Sequence, residues 1–312
     1  MKLPRFGKRI PLALLAALSC IAAMATADTP APALAAPSPV PLLWKVSDAD
    51  NSVYLLGSFH LLKPDDYPLS EEVNAAFADA ESLLFELSPE DLVAPDVAGK
   101  FVAAAGYADG GTLQQVLPAD TYAALDKLAA AAGGAAAMQA QEPWFITMAI
   151  SIGIAQRLGF KPELGLDQYL MQRAAAAKKP ATGLESVDAQ LAALDSTPMT
   201  EQVASLKEFV DDPQKSVADM LELHRQWRAG DVDGLNRTMR EEMIAKTPQT
   251  YRLIDVARNE AWLPKIDARL TAPGTDDTLV VVGALHLLGP DGLVEKLRQK
   301  GYTVDRICSA CK

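Results

Sequence analysis

The chain has 312 residues, 49% of them hydrophobic and 22% charged, a length and balance that allow one large domain or two small ones around a sizeable core. Its formal net charge is −11, and it becomes four units more negative once a basic leader containing Lys2, Arg5, Lys8 and Arg9 is removed. With no basic stripe to offset it, that charge excludes nucleic acid as a partner.

From the N-terminus, the basic start is followed by an apolar core, Leu12 to Ala23, and by the small-residue cleavage site Ala25-Thr26-Ala27. Residues 1–27 therefore read as a signal peptide, and the mature chain as exported, to the periplasm in a Gram-negative host. Lipoprotein anchoring through Cys20 is disfavoured, because the leucine of Ala17-Leu18-Ser19-Cys20 stands two residues before the cysteine instead of three. Residues 28–40, dominated by proline and alanine, read as an extended linker. A single domain is expected over residues 41–312.

Within the domain, Leu42 to Val46 and Ser52 to Gly57 flank the polar stretch Ser47 to Asn51 and predict a hairpin. Ser70, backed by Glu71 and Glu72, caps a helix to about Ala80. Ser82 to Leu87 predicts a strand carrying one acidic residue, Glu86, which is costly there unless it is paired or bound to a cation. Helical patterns cover Ala119 to Ala132, Pro143 to Leu158 and Leu166 to Ala177. The apolar run Trp144 to Ala155 is interrupted by Thr147, Ser151 and Gly153 and reads as a buried helix; no stretch of the mature chain reaches the ~20 apolar residues of a membrane span.

Pro180 to Leu184 predicts a short strand, followed by Glu185 and a helix near Val187 to Leu194. From Thr200 to about Leu270 the pattern is nearly all helical, with breaks near Pro213, Gly230 and Pro248. A strand at Thr278 to Val282, a turn at Gly289 to Gly292, a helix at Leu293 to Lys300 and a strand at Tyr302 to Ile307 complete the chain. Strands at both ends enclosing helices predict an α/β fold: a central mixed β-sheet formed by the N- and C-terminal portions, with a long, mainly helical middle region packed around it. Cys308 and Cys311 are the cysteines left after the signal, and in an oxidising compartment they are expected to form a local disulfide.

One short pattern occurs twice. Gly57-Ser58-Phe59-His60 and Gly283-Ala284-Leu285-His286 each follow an apolar, β-branched run, and they use two of the chain's three histidines. A histidine three residues beyond such a glycine emerges at the carboxyl edge of a sheet, where ligands collect in open α/β folds. Two copies predict one shared site, although a histidine satisfied by a backbone carbonyl explains a single copy equally well. His224 lies on a charged amphipathic helix and reads as a surface or partly buried residue. Ser58 and Ser186 lack a nucleophile elbow, which argues against a serine hydrolase.

Together with Phe85-Glu86-Leu87, Gly183-Leu184-Glu185 and Arg258-Asn259 followed by Trp262, the two Gly-x-x-His segments resemble the ordered motif set of TraB/GumN family proteins, from about Leu42 to Val304. Animal Tiki membrane proteases share this pattern, with erythromycin esterase and the ChaN haem-binding lipoproteins as more distant relatives. The resemblance implies a metal-dependent peptidase in which His60, Glu86 and His286 hold a divalent ion, manganese or cobalt in the Tiki proteins. Zinc is equally compatible with two imidazoles and a carboxylate. No His-Glu-x-x-His helix is present.

Arg258 and Asn259 stand beside the apolar face of their helix, where the arginine is expected either to stabilise an oxyanion or to form a salt bridge to Glu86 or Glu185. Glu185 reads either as a catalytic or supporting residue or as a complement to the helix dipole, and Asp167 carries the same two readings, with the helix start favoured. The expected function is an exported metal-dependent hydrolase cleaving an amide or ester in a peptide or small-molecule substrate, with Glu86, Glu185, Arg258 and Asn259 as catalytic candidates. The alternatives are a metal-free hydrolase with a histidine as general base, and a haem- or metal-binding protein without turnover.

Overall fold

A computed structural model describes residues 37–311; the expected signal peptide, Cys20 and most of the expected linker lie outside the described residues. Six strands form one mixed sheet: β1 (Leu43–Ser47), β2 (Ser52–Ser58), β3 (Ser82–Phe85), β4 (Ala181–Gly183), β5 (Thr278–Gly283) and β6 (Thr303–Arg306). Their spatial order is β4-β3-β5-β2-β1-β6. The hairpin forms as expected, with Leu43 opposite Leu56 and Ser47 opposite Ser52. Its turn is organised by the Asp48 carboxylate, which accepts from the N–H groups of Asp50 and Asn51, each at 3.1 Å.

What positions the site is the direction of four strands. β2 pairs in parallel with β5, β5 with β3, and β3 with β4. All four carboxyl ends therefore open on one edge, which is reached in the order β4, β3, β5, β2. Both central strands are buried along their whole length, as a sheet covered on both faces requires, with polar residues confined to their ends apart from Tyr54. The core continues from these strands into Trp262, Ile266 and Leu270 of the Ala257–Leu270 helix and Leu166 and Leu170 of the Leu166–Ala177 helix.

Short helices at Pro89–Leu92, Val97–Ala104 and Leu113–Val116 fill a stretch for which the sequence set no expectation, and Val97, Phe101 and Ala104 pack against a cluster that includes Trp144 and Val187. Several local expectations are corrected. The helix begun at Ala119 ends at Leu128, with Gly133 and Gly134 both at positive φ just beyond. The Pro143–Arg157 helix is not buried all round: Pro143, Trp144, Ile146 and Ala155 are, while Ala149 is exposed. The expected linker is already docked at its end, since Arg228 donates to the Pro37 carbonyl and Val40 N–H donates to the Arg228 carbonyl. Cys308 and Cys311 form the expected disulfide. Among the described residues no helix is long and apolar enough to cross a membrane.

Candidate functional site

Each of the four parallel strands delivers a polar residue just past its carboxyl end: Glu185 after β4, Glu86 after β3, His286 after β5 and His60 after β2. β3 ends at Phe85, so Glu86 lies beyond the strand and not within it as the sequence predicted. His286 is carried on a 3-10 turn, Ala284–Leu287, that follows β5 directly. The two imidazoles, more than two hundred residues apart in sequence, converge: His60 Nε2 and His286 Nε2 each lie 3.9 Å from the same Glu86 Oε1.

Gly283 is where these groups meet. Its N–H donates to Glu86 Oε1 at 2.7 Å, and a Cβ at this position would lie 3.2 Å from Glu86 Oε1, 3.3 Å from His60 Nε2 and 3.7 Å from His286 Cδ2. The repeated glycine thus leaves the space into which two imidazoles and a carboxylate crowd. Gly165 has a similar reason: a Cβ there would fall 2.2 Å from the His60 carbonyl oxygen, and the next residue, Leu166, donates its N–H to the Phe59 carbonyl. The start of the Leu166–Ala177 helix can therefore press directly against the His60 segment.

That contact brings in a residue the sequence reading assigned to the helix start. Asp167 lies 3.3 Å from His60 Nδ1 and accepts from Ser58 Oγ at 3.0 Å. Burial works against a proton on His60, but the Asp167 carboxylate outweighs it and pushes the group up to about 9. The His60 side chain is 58% exposed, so water screens part of this pull. Burial pushes the Asp167 carboxyl up, and the His60 imidazole more than offsets this to hold it below its ordinary value.

His286 is the buried counterpart. Its Nδ1 lies 2.8 Å from Asn259 Oδ1 and 3.1 Å from Asp255 Oδ1. Asn259 Nδ2 is committed to Asp255 Oδ2 and the Asp291 carbonyl, which turns its oxygen toward the imidazole. Nδ1 thus faces the Asn259 oxygen, with the Asp255 carboxylate beside it, and Nε2 points toward Arg258 and Glu86. Asn259 is fully buried behind His286 and does not face the cleft. Asp255, fully buried as well, was not singled out from the sequence; its four-residue spacing from Asn259 on one helical stretch was the available signal.

Arg258 binds the carboxylates together. Its guanidinium donates to Glu86 Oε2 at 2.6 Å and Glu185 Oε1 at 2.7 Å, and Nη1 lies 3.2 Å from His286 Nε2. The guanidinium also stacks 4.6 Å over Trp262, whose indole N–H donates to Glu185 Oε2. Burial pushes the Glu86 carboxyl up, but His286 and Arg258 overcome it and hold Glu86 down at about 2. Of the two expectations for Arg258, the salt bridge forms, to both glutamates, and the guanidinium also reaches the imidazole.

A model of the TraB/PrgY/gumN family matches residues 42–306. The chain belongs to this family. Among curated proteins it is 25% identical over 246 residues to the uncharacterized protein YbaP of Escherichia coli, covering 78% of this chain and 87% of YbaP, and the YbaP of Shigella flexneri matches equally. No solved structure matches the chain at a significant level.

In this TraB/PrgY/gumN chain two imidazoles, each with Nδ1 beside a carboxylate or amide oxygen, and a Glu86 oxygen 3.9 Å from both Nε2 atoms are donor types that a divalent ion takes, with Arg258 Nη1 already 3.2 Å from His286 Nε2. The set is not drawn tight. Ligand bonds of about 2.0–2.2 Å bring neighbouring ligand atoms to roughly 3.0–3.5 Å, so each imidazole has about half an ångström to close toward Glu86. Among the described residues no three His, Cys, Asp or Glu side chains gather at metal-holding distance.

The third histidine departs from expectation. His224 is buried, with Nε2 2.9 Å and 3.0 Å from the two oxygens of the fully buried Asp66, which also pairs with Arg228. Serine chemistry gains no support: Ser58 is buried against Asp167, and Ser186 accepts from Ala189 N–H as a helix cap.

Proposed function

We propose that the cleft hydrolyses an amide or ester bond in a peptide or small molecule, with His60, Glu86 and His286 holding a divalent ion such as manganese, cobalt or zinc. The observation that supports this is the approach of both Nε2 atoms to one Glu86 oxygen, with each Nδ1 occupied from behind. Such an ion would acidify a bound water and polarise the substrate carbonyl.

The chain's own groups have distinct tasks. Asp167, and Asp255 with Asn259, hold the two imidazoles with their Nε2 atoms toward Glu86; the proton that Asp167 favours on His60 would be displaced when an ion binds there. Glu185 and Trp262 hold the Arg258 guanidinium, which keeps Glu86 ionised and lends positive charge to a developing oxyanion. The acting location is the periplasm, in keeping with the exported reading of the leader.

The contact of Arg258 Nη1 with His286 Nε2 favours a second reading. In it the guanidinium is the resident cation, and His60, oriented by Asp167, moves the proton without a metal. A panel of fluorogenic peptides and esters, assayed with and without chelator, separates the two. Turnover lost with chelator and restored by added manganese or cobalt supports the first; turnover indifferent to chelator supports the second. Equal turnover by wild type and His60→Ala removes both.

A further inference from the structure

The third histidine and an apolar cavity beside the His60 segment belong to one construction. A cavity of about 440 Å³ is walled by Phe59 and Leu61, the two neighbours of His60, together with Met220, Leu223 and Met239. Glu86, Arg258 and His286 do not line it, and it adjoins the site through the chain segment that carries His60. Its far wall is tied to the other imidazole as well. Met239 lies in a π-helical turn, Asn236–Glu241, whose Arg240 pairs at 2.9 Å with Asp291 in the loop following His286.

The cavity is held open from behind. On the Pro213–Ala229 helix, His224 is anchored by Asp66, and Phe160 packs edge-on against its ring with centroids 4.8 Å apart. One turn on, Trp227 donates its indole N–H to the Gly57 carbonyl at 3.0 Å. Phe59 rests against both rings, with centroids 5.9 Å from His224 and 6.0 Å from Trp227. The segment from Gly57 to Phe59 is therefore fixed to this helix at two points, and Phe59 is kept in the cavity wall.

Resting on the hydrolase reading above, we propose that this cavity receives the apolar side chain of a peptide substrate at a position next to the scissile bond. A side chain seated between Phe59 and Leu61 would lie beside the segment that carries His60. A peptide suits the space better than an acyl chain because the walls are apolar while the mouth is rimmed by Glu208, Lys215 and Asp219. These are charges of both signs already paired among themselves, with Lys215 2.5 Å from Asp219 and 3.6 Å from Glu208. A polar backbone can leave through such a rim with its hydration kept.

The test uses the full mature chain and neutral tripeptides N-acetyl-Ala-Xaa-Ala-amide with Xaa Gly, Ala, Leu or Phe, titrated against protein carrying methyl-labelled methionine. Affinity should rise roughly tenfold or more from Gly to Phe, as burial of a large apolar side chain requires, with shifts at the Met220 and Met239 methyls. Met220→Trp, or Ser205→Leu from the facing helix if the first fails to fold by near-ultraviolet circular dichroism, should abolish the gain for Phe while leaving the Gly peptide unchanged. Affinity independent of Xaa overturns the proposal, as does a preference that survives both substitutions. Alkyl amides that tighten steadily with chain length while the peptides do not discriminate also overturn it, in favour of an acyl ligand. Graded peptide binding without turnover sustains the cavity and removes the hydrolase; turnover without side-chain preference does the reverse.

Discussion

Replacing Arg258 by methionine tests the electrostatic frame of the site. The side chains of Arg258, Glu86 and Glu185 are 13%, 13% and 8% exposed, so removing the cation leaves two carboxylates facing each other with little water to solvate them. Breaking a buried pair in this way costs about 3–5 kcal/mol. For a domain of this size each kcal/mol lowers the melting temperature by about 2–4 °C, so Arg258→Met should melt roughly 6–20 °C below wild type. Glu185→Gln in the same chain should recover part of the loss.

The pH dependence carries a sign that can be checked. In the wild type Glu86 is held at about 2, below its ordinary 4.5, so its contribution is full above 4.5 and is lost as pH falls toward 2. Without Arg258 the Glu86 carboxyl loses one of the groups that hold it down and rises from about 2, while His286, His60 and the Gly283 N–H still oppose its burial. Protonation then relieves the variant at a higher pH than wild type, and its deficit relative to wild type should shrink as pH falls from 7 toward 4. Paired urea denaturation curves across that range measure it. A loss below ~1 kcal/mol, as for an exposed ion pair, or a deficit that does not change with pH, would refute the reasoning.

Other consequences are local. Ser309 donates its backbone N–H and its hydroxyl to Glu72 and holds that carboxyl at about 2, so docking of the tail should be complete above about pH 4.5 and loosen as pH falls toward 2. Hydrogen exchange over residues 307–311 reads this, and Glu72→Gln should remove the pH dependence. Reducing Cys308–Cys311, a link between residues three apart, should cost at most roughly 2 kcal/mol and leave the sheet folded, as far-ultraviolet circular dichroism would show. Trp227→Phe strips one donor from the Gly57 carbonyl and should destabilise by about 1–2 kcal/mol. Its faster amide exchange should concentrate at residues 57–62; a uniform effect would contradict the clamp.

The sheet was legible because its strands announce themselves: β-branched runs before Gly57 and Gly283, a polar turn at Asp48, and strand patterns at both ends of the chain. Glu86, His60 and His286 were legible for the same reason, since each follows a buried strand and parallel pairing carries all three to one edge. Asp167 and Asp255 were not. A carboxylate in the first turn of a helix, or inside one, has an ordinary explanation in the helix itself, and only tertiary packing reveals that an imidazole lies beside it. His224 misled because its own helix is charged; the partner that buries it, Asp66, lies 158 residues earlier. The Val97–Ala104 helix escaped although Val97, Phe101 and Ala104 form a face packed against Leu87, Trp144, Val187 and Leu191, because eight residues interrupted by Gly99 are too few for a clear period.

The central claim is that His60 and His286 share one centre at Glu86. Protein prepared without an affinity-tag metal, loaded with cobalt or manganese and dialysed, should retain one ion per chain by elemental analysis. His60→Ala combined with His286→Ala should retain none while keeping its fold. Equal metal content in wild type and the double variant would contradict the account.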